Sequence, residues 1–528
     1  MSDLPVAVQA PGRMPTATPA GQPVASRRHA EAVAVLGVLA AVGYGAVEFW
    51  KFTTFRASSY DLVIFDQAVR GYSRFRLPVS VVDGLHRGFG WHFSVLGDHF
   101  SPILALLAPL YWIHDGPSTL LVAQALLFAA AIPSLWVFTR RELGPFAAYC
   151  VAVAYAVSWP VAQAVAFDFH EVAFVPVLTA VLFERFSAYR RDRGRWWHLV
   201  LPAVGLLGVK EDMGLLVAAF GVAMLILASR WRTPRRHQAR WLGAGLAVGG
   251  LAAVVVSTVV LLPAMGSKPQ FYWRYGAFGP TLPTAAWHLL THPAATATTF
   301  TQPDVKIHTI VLLGTVAAFA CVLSPFVLVV LPQLAERMLS DAPNWWTSGF
   351  HYDAFLVVAL LCAGVDGVAR VRRWSARHGG WRVAGERFAA VWAVAVLVIG
   401  GWNVPGFGFH PLLHLSSWRH DTTMRAEAAA VAHVPSGVTV EAANPLGPAL
   451  TGRTTVVLWD QVPRWAPWVV ADTTTRRFPF CDVAQQRARI TFLTGHGYRI
   501  VFAEDGFLVL HHPGALPPPA TEQAPGCP

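Results

Sequence analysis

The sequence predicts a mainly α-helical protein that crosses a membrane many times and carries a small external α/β domain near its C-terminal end. Of its 528 residues, 54% are hydrophobic and 13% are charged, whereas soluble domains carry about 25% charged residues. The arginines gather in short segments between long apolar runs, as they do in the cytoplasmic loops of membrane proteins. Beyond residue 404 the chain is far less apolar, and strand-like segments alternate with helix-like ones.

The two ends of the chain are predicted to be disordered. Residues 1–30 are rich in Pro, Ala, Gln and Thr, which is typical of a disordered tail, here on the cytoplasmic side. The apolar run from Ala32 to Trp50 is too long for the core of a signal peptide, so it predicts an uncleaved first span. Residues 513–528 are rich in proline and form the second predicted disordered tail.

Four basic segments set the predicted orientation, because Lys and Arg concentrate in cytoplasmic loops. These segments are 140–141, 185–195, 230–240 and 370–387. Since the net charge of +11 resides largely in such loops and forms no recognition stripe, no binding to nucleic acid is expected.

Two long apolar runs are each predicted to form two short spans. Residues 196–229 have basic flanks on both sides, so the run must turn back, and Lys210-Glu211-Asp212 lies at its middle. Residues 308–339 divide near Ser324-Pro325, because proline disfavours helix in the residue before it. The predicted transmembrane domain, residues 31–404, then has about eleven spans, with the N-terminus in the cytoplasm and the C-terminus outside.

Two external regions follow from this topology. Residues 53–116 form a long first loop, in which the short apolar stretch 99–113 predicts an interfacial or re-entrant helix. Residues 405–512 form the α/β domain, with predicted strands at 437–441, 455–458, 469–472 and 498–502 and predicted helices at 422–433 and 482–495. Cys481 and Cys527 could pair if this part of the chain is extracytoplasmic.

Most acidic and histidine clusters of the hydrophobic part fall on the external side. A charge near lipid is costly, so such residues usually face a cavity and act there. We therefore expect these clusters to form the polar floor of one active site. The clusters contain Asp66, Asp98-His99, Asp168-Phe169-His170-Glu171, Lys210-Glu211-Asp212 and His351-Tyr352-Asp353.

Asp66 is the favoured catalytic acid of the first loop. It lies among Ile64, Phe65 and Val69, and an apolar setting can tune the pKa of a carboxylate for general-base work. A solvated loop acid is the open alternative. Asp61, five residues earlier, is interpreted as a helix cap.

The tetrapeptide that contains Asp168, His170 and Glu171 offers two carboxylates and an imidazole between two apolar spans. Such a set could bind a divalent metal ion or steer a proton. The alternative is a short polar turn. The spacing matches no standard zinc motif.

Lys210 stands out because the chain has only four lysines. Within an apolar run it could neutralise a phosphate of the substrate, or form a structural ion pair with Glu211 or Asp212. We assign Lys210, Glu211 and Asp212 to a predicted substrate-binding site.

Four further residues are predicted to bind substrate at the external ends of spans. Arg274 is a candidate phosphate ligand, and Tyr275 beside it could stack on a sugar ring. His351 and Tyr352 begin a later span. For all four, an aromatic belt at the membrane interface is the alternative interpretation.

Taken in order, several motifs closely resemble a bacterial membrane-protein family catalogued as domain of unknown function 2079. The resemblance extends from about Tyr60 to Leu361. The motifs are Tyr60-Asp61-Leu62, Phe65-Asp66-Gln67, Gly97-Asp98-His99-Phe100-Ser101-Pro102, Phe167-Asp168-Phe169-His170-Glu171, Lys210-Glu211-Asp212, Arg274-Tyr275-Gly276 and His351-Tyr352.

That family resembles the GT-C superfamily of membrane glycosyltransferases, and the resemblance implies a polytopic helical fold with a catalytic acid in the first external loop. GT-C enzymes take sugars from polyprenyl-phosphate donors and invert the anomeric centre. Asp66 best matches the loop acid. Asp98-His99 stands where many GT-C enzymes carry Asp-x-Asp, so Asp66, Asp98 and His99 are the catalytic candidates. The acceptor would be a glycan or protein of the cell envelope, bound by the external domain.

Two other functions compete with a glycosyltransferase. A transporter or flippase predicts ionisable residues near the membrane midplane and paired halves. Here the charges are displaced to one face, and transport does not explain the external domain. A non-catalytic protein that binds a lipid-linked glycan or acts as a scaffold is the third candidate.

Overall fold

Long apolar segments form the helices that dominate the computed structural model, which describes residues 22–268, 273–378, 381–419, 421–518 and 520–527. Within these residues, six helices are long and apolar enough to cross a membrane. They are Arg27–Thr53, Pro117–Leu143, Pro145–Ala166, Glu171–Arg190, Arg236–Ala264 and Arg382–Gly406. The predicted count of about eleven spans also included segments that fold as shorter helices.

Shorter helices and helical turns complete the helical body. Val357–Arg377 is buried along most of its length, so it lies at the centre of the helical body. The other shorter helices and helical turns of this body are Trp197–Leu207, Met213–Ala228, Leu282–Thr291, Pro293–Thr301, Val305–Val316, Ala320–Leu323, Pro325–Val329, Leu331–Leu339, Pro343–Trp346 and His351–Phe355.

Both divided apolar runs are confirmed at the level of the helices. Trp197–Leu207 and Met213–Ala228 are separate, and the segment 210–212 lies in the turn between them. In the second run, Val305–Val316 ends before two 3-10 turns that flank Ser324. The backbone of Ser324 is extended, with φ −122° and ψ 140°, as expected for a residue before proline.

The first helix begins earlier than the sequence predicts. It runs from Gln22 to Thr53 and so includes part of the predicted disordered tail 1–30. Residues 1–21 of that tail lie outside the described residues.

The first loop, residues 53–116, folds into short helices that lie against the C-terminal domain. A π-helical turn, Ser59–Val63, continues into the helix Ile64–Ser73. The stretch 99–113 contains a 3-10 helix followed by one α-helical turn, and Leu106 on it is 69% exposed. The remaining helices of the loop and its apolar stretch are Val81–His86, Val95–Asp98, Pro102–Leu107 and Ala108–Tyr111.

The C-terminal domain is a five-stranded mixed sheet with two flanking helices, Thr422–Ala432 and Val483–Gly495. The strand order is β2-β1-β3-β5-β4, in which β1 pairs in parallel with β2 and β3, and β5 pairs antiparallel with β3 and β4. The strands are β1 Thr439–Ala442, β2 Thr455–Leu458, β3 Trp468–Asp472, β4 Arg499–Glu504 and β5 Phe507–His511. The predicted fold class, a mainly α polytopic protein with a small α/β domain, is confirmed.

Strand β5 was missed by the sequence analysis, although its signal is present. Asp505 and Gly506 have positive φ values of 46° and 83°, and they form the two-residue turn between β4 and β5. Asp-Gly between apolar segments is a strong sequence indication of a β-hairpin, because both central residues of a type I′ turn need positive φ.

The last residues are held in place, contrary to the predicted disordered tail 513–528. Cys527 forms a disulfide with Cys481. The backbone N–H of Ala524 donates to the carbonyl of His86, at 3.1 Å, and Nη1 of Arg464 donates to the carbonyls of residues 520 and 522, at 2.9 Å each. The tail therefore connects the C-terminal domain to the first loop.

The first loop and the C-terminal domain share one hydrophobic core. Val63, Ile64 and Ala68 of the loop are buried together with residues of the sheet such as Ala442 and Leu458. The loop is thus fixed between the helical body and the sheet, and this position determines where its carboxylates can point.

Candidate functional site

The polar residues singled out from the sequence divide into separate clusters rather than lining one cavity. Asp61 and His170 form the first cluster, where Oδ1 of Asp61 lies 3.4 Å from Nε2 of His170. Asp61 comes from the π-helical turn of the first loop, and His170 comes from the turn between two membrane helices. Their side chains are 22% and 12% exposed, so neither is fully buried.

The two groups stabilise each other's charged form. Burial raises the pKa of Asp61, but the hydrogen bond and charge of His170 outweigh it and lower that pKa overall. Burial lowers the pKa of His170, but Asp61 and Glu171 raise it above its usual value. The ring of His351 stacks on His170, with ring centroids 3.9 Å apart. The pair is therefore an ionised carboxylate beside an imidazole, held by an aromatic neighbour.

Asp168 lies beside this cluster but serves a different contact. Its Oδ1 forms an ion pair with Nζ of Lys51, at 3.0 Å, and its Oδ2 accepts from the backbone N–H of Ser58, at 3.0 Å. Asp168 thereby ties the end of the first helix to the start of the external loop.

The predicted metal site of Asp168, His170 and Glu171 is not formed. Asp168 is bonded to Lys51, and His170 faces Asp61. Across the described residues, no group of three His, Cys, Asp or Glu side chains is arranged to hold a metal ion. The three residues follow one another through a turn, and the turn directs them to different partners.

His99 and Glu211 form the second cluster. Nδ1 of His99 lies 2.9 Å from Oε1 of Glu211, and the backbone N–H of Phe100 donates to the other oxygen, at 3.1 Å. Burial raises the pKa of Glu211, but His99 lowers it to about 2. The predicted substrate-binding acid Glu211 is thus joined to the predicted catalytic residue His99.

Lys210 lies next to this pair and lines a cavity of about 30 Å³. Burial lowers its pKa, but Asp212, Glu211 and Glu171 together raise it, so Lys210 stays charged. The cavity has about the volume of one water molecule. It is also lined by Asp212, Gln333, Glu336, Arg337, Trp345, Tyr352 and Phe355.

His351 and Tyr352 lie at the start of the 3-10 helix His351–Phe355, and Tyr352 lines the cavity at Lys210. Nη2 of Arg337 forms an ion pair with Asp353, at 2.8 Å, and Nη1 donates to the carbonyl of Tyr352, at 3.3 Å. Arg337 is therefore a second cation of the site, which the sequence analysis did not single out. Its position in the amphipathic helix Leu331–Leu339, where it is buried, is the signal that was available.

Arg274 and Tyr275 lie in the external loop near Asp341. The backbone N–H of Asp341 donates to the carbonyl of Arg274, at 2.8 Å. Burial raises the pKa of Tyr275, and the charges of Glu336, Asp212 and Asp341 raise it further.

Asp98 belongs to a buried network of ion pairs in the first loop. Its carboxylate accepts from Arg87, which also pairs with Asp83, at 2.9 Å, and donates to the hydroxyl of Tyr60, at 2.7 Å. Burial raises the pKa of Asp83 to about 7, and the charge of Asp98 adds to the shift. Asp98 consequently contacts Arg87 and not the Asp61–His170 pair.

Asp66 is fully buried, and its oxygens have four polar contacts. Arg70 provides two, at 3.1 Å and 2.8 Å, the hydroxyl of Tyr111 donates at 2.8 Å, and the hydroxyl of Thr451 donates at 2.7 Å. Burial raises its pKa, although Arg70 and the hydroxyl donors oppose the shift. Because Thr451 belongs to the C-terminal domain, Asp66 connects that domain to the loop.

The geometry therefore favours Asp61 over Asp66 as the reactive carboxylate. Asp61 is partly exposed and contacts an imidazole, whereas Asp66 is inaccessible. The sequence analysis interpreted Asp61 as a helix cap and did not identify His170 as its partner. His170 lies more than 100 residues away, and only the fold brings the two side chains close. The π-helical turn around Asp61 is a further signal, because such turns often occur at functional sites.

The architecture and this polar site define a polytopic membrane protein with a carboxylate–imidazole pair and a small α/β domain. The model of the family of predicted membrane proteins known as DUF2079 matches residues 51–509. The chain belongs to this family, as the sequence resemblance indicated. No curated protein matches the sequence.

The chain also aligns with several solved structures at low sequence identity. The archaeal oligosaccharyltransferase AglB from Archaeoglobus fulgidus, in complex with an inhibitory peptide and a dolichol-phosphate, aligns with a TM-score of 0.44 at 11% identity, over 84% of this chain and 69% of that one. ArnT from Cupriavidus metallidurans, in the apo state, aligns with a TM-score of 0.46 at 11% identity, over 91% of this chain and 98% of that one.

Proposed function

We propose that the protein is a membrane glycosyltransferase of the GT-C type, which transfers a sugar from a polyprenyl-phosphate donor to a cell-envelope acceptor on the external face. The Asp61–His170 pair carries this proposal, because a partly exposed carboxylate beside an imidazole suits the activation of an acceptor hydroxyl. The pair lies where the first loop meets the ends of membrane helices, so a donor whose lipid tail stays in the bilayer can reach it.

In the proposed step, the carboxylate of Asp61 takes the proton of the acceptor hydroxyl. The acceptor oxygen forms a bond to the anomeric carbon, and the bond from that carbon to the phosphate oxygen breaks. The electron pair leaves with the polyprenyl phosphate, and attack from the opposite face inverts the anomeric centre. His170 keeps Asp61 ionised and oriented before the step, because it lowers the pKa of that carboxyl.

Lys210 and Arg337 are the proposed cations for the leaving phosphate. Positive charge in a site that excludes water stabilises the charge that develops on a leaving group. The cavity at Lys210 has a volume of about 30 Å³, so the donor phosphate can enter only if the side chains around Lys210 move. Tyr352 and Trp345 line the same cavity and are placed to contact a sugar ring.

The proposal is tested by incubating the purified protein, in lipid nanodiscs, with a panel of labelled polyprenyl-phosphate sugars and extracted envelope acceptors. We expect Asp61→Asn to lower kcat by roughly 10²–10⁴-fold, the usual contribution of a general base, with donor binding little changed. Asp505→Asn is the matched control, because it makes the same chemical change in the exposed β4–β5 turn, where Asn-Gly is also favoured.

Absence of transfer from every donor in the panel would overturn the proposed activity. Transfer by wild type and by Asp61→Asn at the same rate would instead overturn the assignment of Asp61, and the base would have to be sought elsewhere.

A further inference from the structure

A cavity of about 1020 Å³ lies between the first external loop and the C-terminal domain, apart from the Asp61–His170 pair. One wall comes from the helix Ile64–Ser73 and the segment after it, and the other comes from the segment 451–455. The polar and charged side chains of its lining include Gln67, Arg70, Arg74, Arg76, His92, Asp115, Thr451, Arg453 and Thr454. We call it the basic cavity.

The charge of the basic cavity is positive even after its ion pairs are taken into account. Asp115 pairs with Arg70, at 2.6 Å, and with Arg74, at 3.1 Å. Arg453 donates to two backbone carbonyls at the C-terminal end of the helix Thr422–Ala432. It has no carboxylate partner in the described part of the chain. The side chain of Arg76 is exposed, and its guanidinium has no hydrogen-bond or ion-pair partner among the described residues. The lining thus contains four guanidinium groups and one carboxylate, that of Asp115. A second carboxylate, that of Asp66, pairs with Arg70 from behind the lining.

The rest of the lining suits a ligand with many hydroxyl groups. Thr454 and Thr455 supply hydroxyls, and Gly437 and Gly452 expose the backbone. The volume is at the upper end of the roughly 300–1,000 Å³ found for small-molecule sites, which leaves room for several sugar units. A hydrocarbon chain would find few apolar partners here, since the lining has only three large aliphatic side chains, Leu77, Val79 and Val81.

The two walls are held together before any ligand arrives. The carboxylate of Asp66 accepts from Arg70 on one wall and from Thr451 on the other, and Nε2 of Gln67 donates to the carbonyl of Val456, at 2.9 Å. A prearranged site loses less entropy when it binds its ligand. Arg70 and Thr451 consequently keep fixed positions in the lining.

We propose that the basic cavity binds an anionic saccharide, whose carboxylate or phosphate groups are recognised by Arg74, Arg76 and Arg453. Guanidinium groups bind both kinds of anion through paired hydrogen bonds, and threonine hydroxyls and exposed backbone bind the sugar hydroxyls. This binding does not depend on the transfer reaction, so it can be measured even if the proposed glycosyltransferase activity fails.

The test uses the full-length protein in nanodiscs of phosphatidylcholine, and calorimetry with tri-galacturonate as the carboxylated probe, glucose 6-phosphate as the phosphorylated one and maltotriose as the neutral one. We expect both anionic probes to bind more tightly than maltotriose, with an affinity that falls as salt is added. Arg76→Gln should weaken binding about tenfold, and Arg74→Gln combined with Arg76→Gln should weaken it further.

Arg487→Gln is the matched control, because Arg487 is an exposed arginine of the C-terminal domain that does not line the cavity. A second variant blocks the space instead of removing charge. A Cβ at Gly452 would meet only the carbonyl of Asp115, at 3.8 Å, so Gly452→Tyr should fold and should abolish binding by occupying the cavity.

Two results in the phosphatidylcholine nanodiscs would overturn the proposal. One is equal binding of maltotriose and tri-galacturonate, and the other is the same affinity in the Arg76→Gln and Arg487→Gln variants. A third arm replaces part of the phosphatidylcholine with phosphatidylglycerol. If this lipid displaces tri-galacturonate completely, the cavity binds a lipid headgroup, and the assignment to a saccharide is wrong.

Discussion

Substituting Asp66 by asparagine should loosen the attachment of the C-terminal domain to the first loop. Asp66 is fully buried and accepts hydrogen bonds from Arg70, Tyr111 and Thr451. Asparagine has nearly the same shape but carries no charge, and one of its two oxygens becomes an NH₂ group that cannot accept. The variant therefore keeps the packing and loses the ion pair together with part of the hydrogen bonding.

The size of the effect follows from the partners that remain. Breaking a buried ion pair by removing one partner costs about 3–5 kcal/mol, because the other charge is left uncompensated. Arg70 keeps its ion pair with Asp115, at 2.6 Å, so the lower end of this range, about 3 kcal/mol, is expected. Since about 1.4 kcal/mol corresponds to a factor of ten, the open population of this interface should rise on the order of 100-fold.

Native-state hydrogen exchange read by mass spectrometry measures this opening directly. Peptides from the helix Ile64–Ser73 and from β2 should exchange on the order of 100-fold faster in Asp66→Asn than in wild type. Peptides from the central helix Val357–Arg377 should exchange as in wild type, because that helix has no contact with Asp66. Asp115→Asn is the control, since it removes the more exposed partner of Arg70 and should cost much less.

Two outcomes would refute this reasoning. Unchanged exchange at the interface in Asp66→Asn would mean that the ion pair contributes little to holding the domain. Loss of sugar transfer with an unchanged exchange pattern would return Asp66 to the role of catalytic base that the sequence resemblance implied.

Three further predictions concern pH, the tail and the topology. Burial and Lys210 lower the pKa of His99, but Glu211 and Asp98 raise it above its usual value. The contact between His99 and Glu211 therefore stabilises the fold fully below about pH 6.5, and this stabilisation is lost as the pH rises through the raised pKa. The advantage of wild type over Glu211→Gln in thermal unfolding should therefore shrink as the pH rises above about 6.5 and through the raised pKa of His99. Cys527→Ser should destabilise the external domain by roughly 4 kcal/mol, because the disulfide closes a loop with a sequence separation of 46, and chemical denaturation of the domain signal should report it. Reporter fusions at residues 236 and 437 should lie on opposite sides of the membrane, and the same side for both would contradict the charge-based topology.

The helical body could be predicted because its signals are local. Apolar length identifies the long helices, and basic flanks on both sides of one apolar run require a turn within it. The turn at Lys210 lies where this argument put it, between Trp197–Leu207 and Met213–Ala228. Four of the five strands of the C-terminal domain were also predicted from alternating or continuous apolar segments.

The partners of the polar residues could not be predicted, because they are set by contacts across the fold. Asp98 pairs with Arg87 and not with the cluster around Lys210. Tail residue Ala524 bonds to His86, although a proline-rich composition indicates disorder. Composition measures what a segment can bury by itself, and it does not register a disulfide or an arginine elsewhere that holds the segment in place.

The contrast between Asp61 and Asp66 shows that solvent accessibility is a better guide to a catalytic carboxylate than apolar neighbours in the sequence. The two residues are five apart, about 140° around a regular α-helix, so they point to different neighbours. Asp66 points towards the C-terminal domain, where Thr451 and Arg70 saturate its oxygens. Asp61 points towards His170 and keeps 22% of its side chain exposed. An apolar sequence setting favours burial, and a carboxylate that is buried with every oxygen bonded cannot take a proton from a substrate. The same local signal that drew attention to Asp66 therefore argues for its structural role.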